Sequence, residues 1–214
     1  MDIKKVLLKI SKEETIALLQ EMIRVNTVNP PGNEKDLAEK LKVKLEGFGI
    51  EAELVDLGDN RANVIGVIKG SGERDSLLLN GHLDTVPPGD VEWEHGPFSA
   101  SIIDNKIYGR GSADMKGGLA AMIMALAAIK RAGVPLKGDL ILAATAGEEI
   151  DSIGAFHYLN TTGLKGVGAI IVGEPTSCKI KIAEKGALWL EITTYGKTSH
   201  GAFPQKGINA IALY

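Results

Sequence analysis

The stretch SLLLNGHLDTV, residues 76–86, contains a short apolar run that ends in a histidine and an aspartate. Residues 76–80 are few, mainly apolar and bounded by turn residues, which predicts a buried strand. In an extended chain, residues two apart point to the same side, so we expect His82 and Asp84 on one face just beyond that strand. The stretch therefore predicts a buried sheet with polar groups at one edge.

Segments with the spacing of helices and strands alternate on both sides of this stretch. Apolar periodicity predicts helices at 12–25, 37–48, 116–132 and 153–159. Short runs between turn residues predict strands at 51–55, 63–68, 139–144 and 168–172, and a hairpin at 102–108 that turns at Asp104 and Asn105. This alternation predicts an α/β fold with a mostly parallel central sheet flanked by helices. Ligands of such sheets bind beyond the carboxyl ends of the strands.

The pattern changes near residue 180, which indicates a second region. KIAEKGALWLEITTY, residues 181–195, alternates in polarity and resembles a hairpin, and a glycine-containing loop follows it. We place the boundary between the two regions at 184/185.

Composition excludes several classes of protein. The 214 residues carry 24 lysines and arginines against 27 acidic residues, a net charge of −3 that gives no basic surface for nucleic acid. No apolar run approaches the roughly 18 residues that a membrane span requires. The single cysteine, Cys178, excludes an internal disulfide, and the first residues do not resemble a signal peptide. These features predict a cytoplasmic protein that binds neither nucleic acid nor membrane.

Acidic and histidine side chains recur where predicted strands, or the hairpin, end. They are His82, Asp84, Asp114, Glu148, Glu149 and Glu174. Five carboxylates and one imidazole gathered at one edge would need cations to balance their charge, and this donor set suits zinc or a related divalent ion. Each motif alone has an ordinary explanation, such as a loop or a solvated helix start. Their shared position in the predicted topology favours a metal site.

Two other motifs fail on their spacing. GRGSADMKGG, residues 109–118, begins like a dinucleotide-binding loop, but Asp114 occupies the third glycine position and would repel a pyrophosphate. GKTS, residues 196–199, ends like a phosphate-binding loop, but Glu191 stands where its first glycine is required. The sequence also lacks G-x-S-x-G, so nothing supports a serine or cysteine nucleophile.

Five ordered motifs and the NPPGNE segment at 29–34 carry a family resemblance. The motifs are GHLDTVP at 81–87, GRGSADMKGGLAAM at 109–122, AGEE at 146–149, GEP at 173–175 and GKTSHGAFPQKGINAI at 196–211. In order and spacing the chain resembles the co-catalytic zinc amidohydrolases, which include acetylornithine deacetylase, succinyl-diaminopimelate desuccinylase, aminoacylase and glutamate carboxypeptidase. The resemblance implies a zinc-exopeptidase (phosphorylase/hydrolase-like) fold. Residues 1–184 would form the N-terminal part of its metal-binding catalytic domain, and 185–214 the start of an inserted α+β lid and dimerisation domain.

The resemblance also implies a metal set. His82 and Glu174 would bind one ion, Glu149 the other, and Asp114 would bridge them, with a cis peptide to Met115. The ions would be Zn²⁺, two per full-length subunit, with Co²⁺ as a possible substitute.

Three further residues would serve catalysis by the same resemblance. Asp84 would orient His82, Glu148 would act as general acid and base, and His200 would stabilise the oxyanion in a neighbouring subunit of a homodimer. The implied reaction is hydrolysis of the amide bond of a small N-acyl amino acid or dipeptide. The acyl group and the amino acid are not specified by the sequence.

The chain also departs from the family pattern. A downstream histidine that completes the second metal site in the family has no counterpart among the four histidines, so we expect a piece of a longer protein with little activity alone. The alternative is a non-catalytic metal- or ligand-binding fragment, or a pseudoenzyme, derived from the family. Arg110 and Lys116, which flank Asp114, are expected to form salt bridges with the carboxylate cluster.

Overall fold

A computed structural model describes residues 2–183, 185–186, 188 and 190–212. The chain divides into two compact units, Met1–Cys178 and Lys179–Tyr214. The division lies six residues before the boundary placed from the sequence, and the assignment of a catalytic domain and a lid stays a prediction. Within the described residues, no helix is both long and apolar enough to cross a membrane.

Helices and strands alternate through the first unit. Its helices are α1 (Ile3–Leu7), α2 (Lys12–Arg24), α3 (Lys35–Gly47), α4 (Lys116–Ala132) and α5 (Ile153–Thr161). Its strands are β1 (Glu51–Gly58), β2 (Arg61–Ile68), β3 (Ser76–His82), β4 (Ser101–Ile103), β5 (Lys106–Tyr108), β6 (Leu140–Thr145) and β7 (Val167–Val172). The second unit contains two short 3₁₀ turns, Pro204–Lys206 and Ala210–Ala212.

Local sequence signals account for most of these limits. The Ser11 hydroxyl accepts a hydrogen bond of 3.1 Å from the backbone N–H of Glu14 and caps α2. Helix α4 ends at Gly133, whose φ of 59° is the left-handed conformation that glycine adopts readily. Asp104 and Asn105, with φ of 49° and 60°, form the tight turn between β4 and β5.

Five strands form the central sheet in the order β1-β2-β6-β3-β7. β2 pairs antiparallel with β1 and β6, whereas β3 pairs parallel with β6 and β7. Four strands therefore run one way and only β2 opposes them. The α/β class and the flanking helices are confirmed, but the sheet is mixed because the two-residue connection at Asp59 and Asn60 makes β1 and β2 a hairpin.

The core lies mainly between the sheet and helices α2, α3 and α4. Leu79 of β3 belongs to this large cluster, while its neighbour Leu78 packs with Tyr158 of α5 on the other face. Alternate residues of β3 are therefore buried on opposite sides, which explains its continuous apolar run.

The predicted hairpin at 181–195 is not seen in the second unit. Glu184, Ala187 and Trp189 fall outside the described residues, and the residues described around them are not in strands. An antiparallel bridge joins Lys197 and Ile208.

Candidate metal centre

Three parallel strands deliver side chains to one edge of the sheet. β3 ends at His82, β6 is followed by Glu148 and Glu149, and β7 by Glu174. Since β6, β3 and β7 are neighbours that run the same way, their carboxyl ends lie side by side. Asp114 reaches the same place from the turn before α4.

The ligand atoms of His82, Asp114 and Glu149 all lie within 4.8 Å of one another, a spacing that could hold a metal ion. The Nε2 atom of His82 is 3.1 Å from a carboxylate oxygen of Asp114, 3.6 Å from one of Glu174 and 3.9 Å from one of Glu148. The His82 side chain is only 1% exposed, whereas that of Asp114 is 57% exposed. One buried imidazole therefore faces a rim of carboxylates that is open to solvent.

The orientation of His82 is fixed from behind by Asp84. Nδ1 of His82 lies 2.9 Å from the backbone carbonyl oxygen of Asp84 and 3.4 Å from its carboxylate. In the neutral imidazole, donation of the Nδ1 proton to that carbonyl would leave the Nε2 lone pair directed at the surrounding carboxylates, as a metal ligand requires. The nearer contact comes from the main chain of Asp84, while its carboxylate contacts the imidazole at 3.4 Å and also accepts hydrogen bonds from other groups.

The Asp84 carboxylate, which is fully buried, accepts three other hydrogen bonds. They come from Asn29 Nδ2 at 2.9 Å and from the backbone N–H groups of Glu148 and Glu149 at 3.1 and 3.2 Å. Burial favours its neutral form, but hydrogen bonds from His82 and Asn29 outweigh burial and lower the pKa of Asp84. Asp84 therefore positions the turn that carries both glutamates as well as the imidazole.

The cluster has more negative charge than it can balance. Burial opposes protonation of His82, but its hydrogen bond to Asp84 and the charges of nearby glutamates raise the pKa of His82 to about 9. Burial, with the nearby Asp114 and Glu148 carboxylates, raises the pKa of Glu174 to about 7 against the attraction of His82. Burial and the neighbouring carboxylates also raise the pKa of Glu149. A cation bound among these groups would relieve this repulsion.

Close packing of two glycines brings the elements together. A Cβ atom on Gly118, near the start of α4, would lie 1.9 Å from the carbonyl oxygen of Gly173, which directly precedes Glu174. Only glycine allows this approach of the helix to the end of β7. The peptide bond between Asp114 and Met115 is cis, as the resemblance implies.

The expected salt bridges of Lys116 and Arg110 are wrong. Lys116 is buried and its Nζ donates to the carbonyl oxygens of Met22 and Val25, at 3.0 and 2.9 Å, where α2 ends. Carbonyls at a helix C-terminus carry partial negative charge and favour a cation, which explains this contact. Burial lowers the pKa of Lys116 to about 7. Arg110 donates to the carbonyl of Pro87 and lies over the Trp93 ring at 5.4 Å.

His200 lies in the second unit, where it is exposed. Its Nδ1 accepts a hydrogen bond of 3.1 Å from the backbone N–H of Ala202, and its ring lies 6.1 Å from that of Phe203. Its expected role at the oxyanion stays a prediction.

Comparison with known proteins identifies the family of this chain. Residues 78–202 match the model of peptidase family M20/M25/M40. The chain belongs to this family. This M20-family chain is 36% identical over 205 residues to a probable succinyl-diaminopimelate desuccinylase of Staphylococcus epidermidis, a match that covers 95% of the chain and 50% of that relative.

Two further matches support the assignment. Acetylornithine deacetylase of Salmonella arizonae is 41% identical over 167 residues, which are 78% of this chain and 42% of that protein. The crystal structure of the M20-family metallo-carboxypeptidase Sso-CP2 from Sulfolobus solfataricus is 27% identical, with a TM-score of 0.67 over 75% of this chain and 37% of that one. The expected family and fold are confirmed, and the chain spans about half the length of the curated relatives it matches.

Proposed function

We propose that this protein is a metal-dependent hydrolase that cleaves the amide bond of small N-acyl amino acids or dipeptides. The observation that carries the proposal is the convergence of His82, Asp114 and Glu149 at the strand ends of an M20-family chain, with Glu148 beside them. The names of its relatives, a desuccinylase and a deacetylase, support the substrate class.

The donor set fits a divalent cation. A buried imidazole of fixed orientation, surrounded by carboxylates in excess, is a donor set that suits zinc, and Co²⁺ takes similar ligands. His82, Asp114 and Glu174 would hold one ion, and Asp114 and Glu149 would hold the second. Ions at these positions would polarise the amide carbonyl of the substrate and make water a stronger acid.

Glu148 would be the general acid and base. Its backbone N–H is held by Asp84, its carboxylate lies at the solvent-exposed rim, and it is not one of the three grouped ligands. It would remove a proton from the attacking water and later deliver a proton to the leaving amine. Glu149, the next residue, points its carboxylate into the ligand group, so the two neighbours can have separate tasks.

The remaining parts of the proposal concern the whole protein. Residues 1–184 would belong to the catalytic domain and 185–214 to a lid that joins two subunits in a cytoplasmic homodimer. His200 would then donate a hydrogen bond to the oxyanion that develops in the partner's site.

One observation favours the alternative of a binding-only fragment. Within the described residues, the proposed second ion has only Asp114 and Glu149 as ligands, which is fewer than a closed site provides. A fragment of this kind would take up metal without turning over any N-acyl amino acid or dipeptide.

The discriminating experiment replaces Glu148 with Gln in the full-length protein. Metal uptake should be unchanged, whereas hydrolysis of N-acetyl, N-succinyl and dipeptide substrates should fall at least ~100-fold, the usual contribution of a general base. Glu39→Gln, at an exposed position on α3, is the matched control and should behave as wild type. Full turnover by Glu148→Gln would refute the mechanism, and metal uptake without wild-type turnover would favour the alternative.

A further inference from the structure

Residues 146–152, which connect β6 to α5 and carry Glu148 and Glu149, form what we call the acidic turn. Asn63 of β2 holds the first residue of this turn and the start of α5 that follows it: Oδ1 accepts from the backbone N–H of Ala146 at 2.9 Å, and Nδ2 donates to the carbonyl oxygen of Gly154 at 2.9 Å. The Asp84 carboxylate holds the amides of the two glutamates in the middle. The turn is therefore held by side chains from other parts of the chain.

Arg61 also contacts the acidic turn, at a residue that follows the two glutamates in the sequence. Its Nη1 donates to the Asp151 carboxylate at 3.0 Å. Its Nε and Nη2 donate to both carboxylate oxygens of Glu34, at 3.3 and 3.0 Å. Glu34 is completely buried and Arg61 nearly so, and a forked pair of this kind fixes the guanidinium plane.

The guanidinium also fits between two glycine backbones. A Cβ atom on Gly32 would lie 2.8 Å from Nε of Arg61, and one on Gly147 would lie 2.3 Å from Nη2. Gly147 has a φ of 83°, so the acidic turn begins with a backbone conformation that side chains disfavour. The absence of side chains at both glycines leaves the space that the Arg61 guanidinium occupies.

Both ends of the NPPGNE segment reach the acidic turn, each through one intermediate residue. Asn29, its first residue, donates to Asp84, which holds the amides of Glu148 and Glu149. Glu34, its last residue, holds Arg61, which holds Asp151. This gives the NPPGNE segment, about 115 residues away in sequence from the glutamates, a structural connection to them.

We propose that Arg61, fixed by Glu34, is a positioning residue that sets the conformation of the acidic turn through Asp151. Glu148 and Glu149 lie beside the carboxylates of Asp84 and Asp114, and repulsion among these groups favours opening of the turn. The buried guanidinium opposes that opening because it holds the turn at Asp151. The consequence for metal binding rests on the proposed function, whereas the effect on the turn does not.

The test removes the outer carboxylate and leaves the buried Arg61–Glu34 pair intact. In the metal-free chain, Asp151→Ala should speed amide hydrogen exchange at Glu148 and Glu149 about tenfold, since loss of one partly buried ion pair is worth about that factor. Asp151→Asn, which keeps neutral hydrogen bonding, should give an intermediate rate. Unchanged exchange in Asp151→Ala would overturn the proposal.

Asp56→Ala is the matched control. Like Asp151, Asp56 pairs with one cation, Lys35 at 2.5 Å, and accepts from the backbone N–H two residues on, Gly58 at 2.9 Å. Asp151 accepts from Ile153 in the same way, at 3.1 Å. Exchange at Glu148 and Glu149 should not change in Asp56→Ala, and an equal acceleration there would also overturn the proposal.

Zn²⁺ titration separates this proposal from the proposed function. Asp151→Ala should bind Zn²⁺ about tenfold more weakly than wild type, and Asp56→Ala should bind it equally well. If Asp151→Ala exchanged the amide hydrogens of Glu148 and Glu149 faster but bound Zn²⁺ as tightly as wild type, Arg61 would not position the metal ligands. A wild-type chain that binds no Zn²⁺ would refute the proposed function, while the exchange rates would still test the role of Arg61.

Discussion

Two polar regions of the first unit differ in how their charge is balanced. Around Arg61 the acidic groups Glu34 and Asp151 are paired with a guanidinium that the chain itself supplies. At the strand ends, five carboxylates share one imidazole, and two of them have raised pKa values. The first arrangement is satisfied internally, as a scaffold must be, whereas the second gains most from a cation that comes from outside.

The largest expected effect is on the free energy of unfolding, when the buried pair of Arg61 and Glu34 is broken. Arg61→Met leaves Glu34 buried without its cation and should destabilise the chain by about 3 kcal/mol, because an unpaired buried charge is costly. Urea unfolding monitored by circular dichroism measures this. Lys69→Met, which removes an exposed lysine from its pair with the half-buried Asp139, is the control and should cause no measurable loss. If the two variants were equally stable, the Arg61 pair would not be the structural element described above.

Metal uptake at the strand ends should depend on pH. At pH 7 His82, with a pKa of about 9, is protonated and Glu174, with a pKa of about 7, is half protonated. Both must lose their protons to bind metal, so Zn²⁺ binding should release between one and two protons at pH 7. Apparent affinity should rise about tenfold per pH unit for each proton released and level off above pH 9. Calorimetry in buffers of different ionisation enthalpy measures the number of protons released. If Zn²⁺ bound without releasing protons, His82 and Glu174 would not be its ligands.

The smallest effect should be a gain in stability when the cluster loses a charge. The pKa of Glu174 is higher in the folded chain than its ordinary value of 4.5, so its ionised form destabilises the fold. That cost is absent below pH 4.5, grows as the pH rises through 7 and is constant above. Metal-free Glu174→Gln should therefore be more stable than wild type by ~1 kcal/mol at pH 8 and no more stable at pH 4.

Thermal unfolding at both pH values checks this prediction. Glu39→Gln, which removes an exposed acidic group from α3, should show no such dependence on pH. With Zn²⁺ present the order should reverse, since Gln is a poorer ligand than a carboxylate. A Glu174→Gln protein that is less stable at pH 8 without metal would show that the cluster is balanced internally.

Local chemistry made much of this molecule predictable. The period of apolar residues predicts α4 with both of its observed ends. Its C-terminal end is the easier to predict, because Gly133 ends the helix by its own backbone preference. Strand ends could also be located, so the residues that follow them could be expected at one sheet edge. The sheet direction of β2 was missed because a parallel and an antiparallel neighbour leave the same apolar pattern in a buried strand.

The sequence by itself determined the α/β class, the family and the carboxylates and histidine that could share a metal, since these depend on spacing within short motifs. Tertiary structure alone decided which partner each buried charge finds. Lys116 stands two residues from Asp114 yet binds carbonyls at the end of α2, and Arg61 joins Glu34 to Asp151, 90 residues away from it in sequence. A buried charge takes whichever partner packing brings within about 3 Å, and no local pattern encodes that distance.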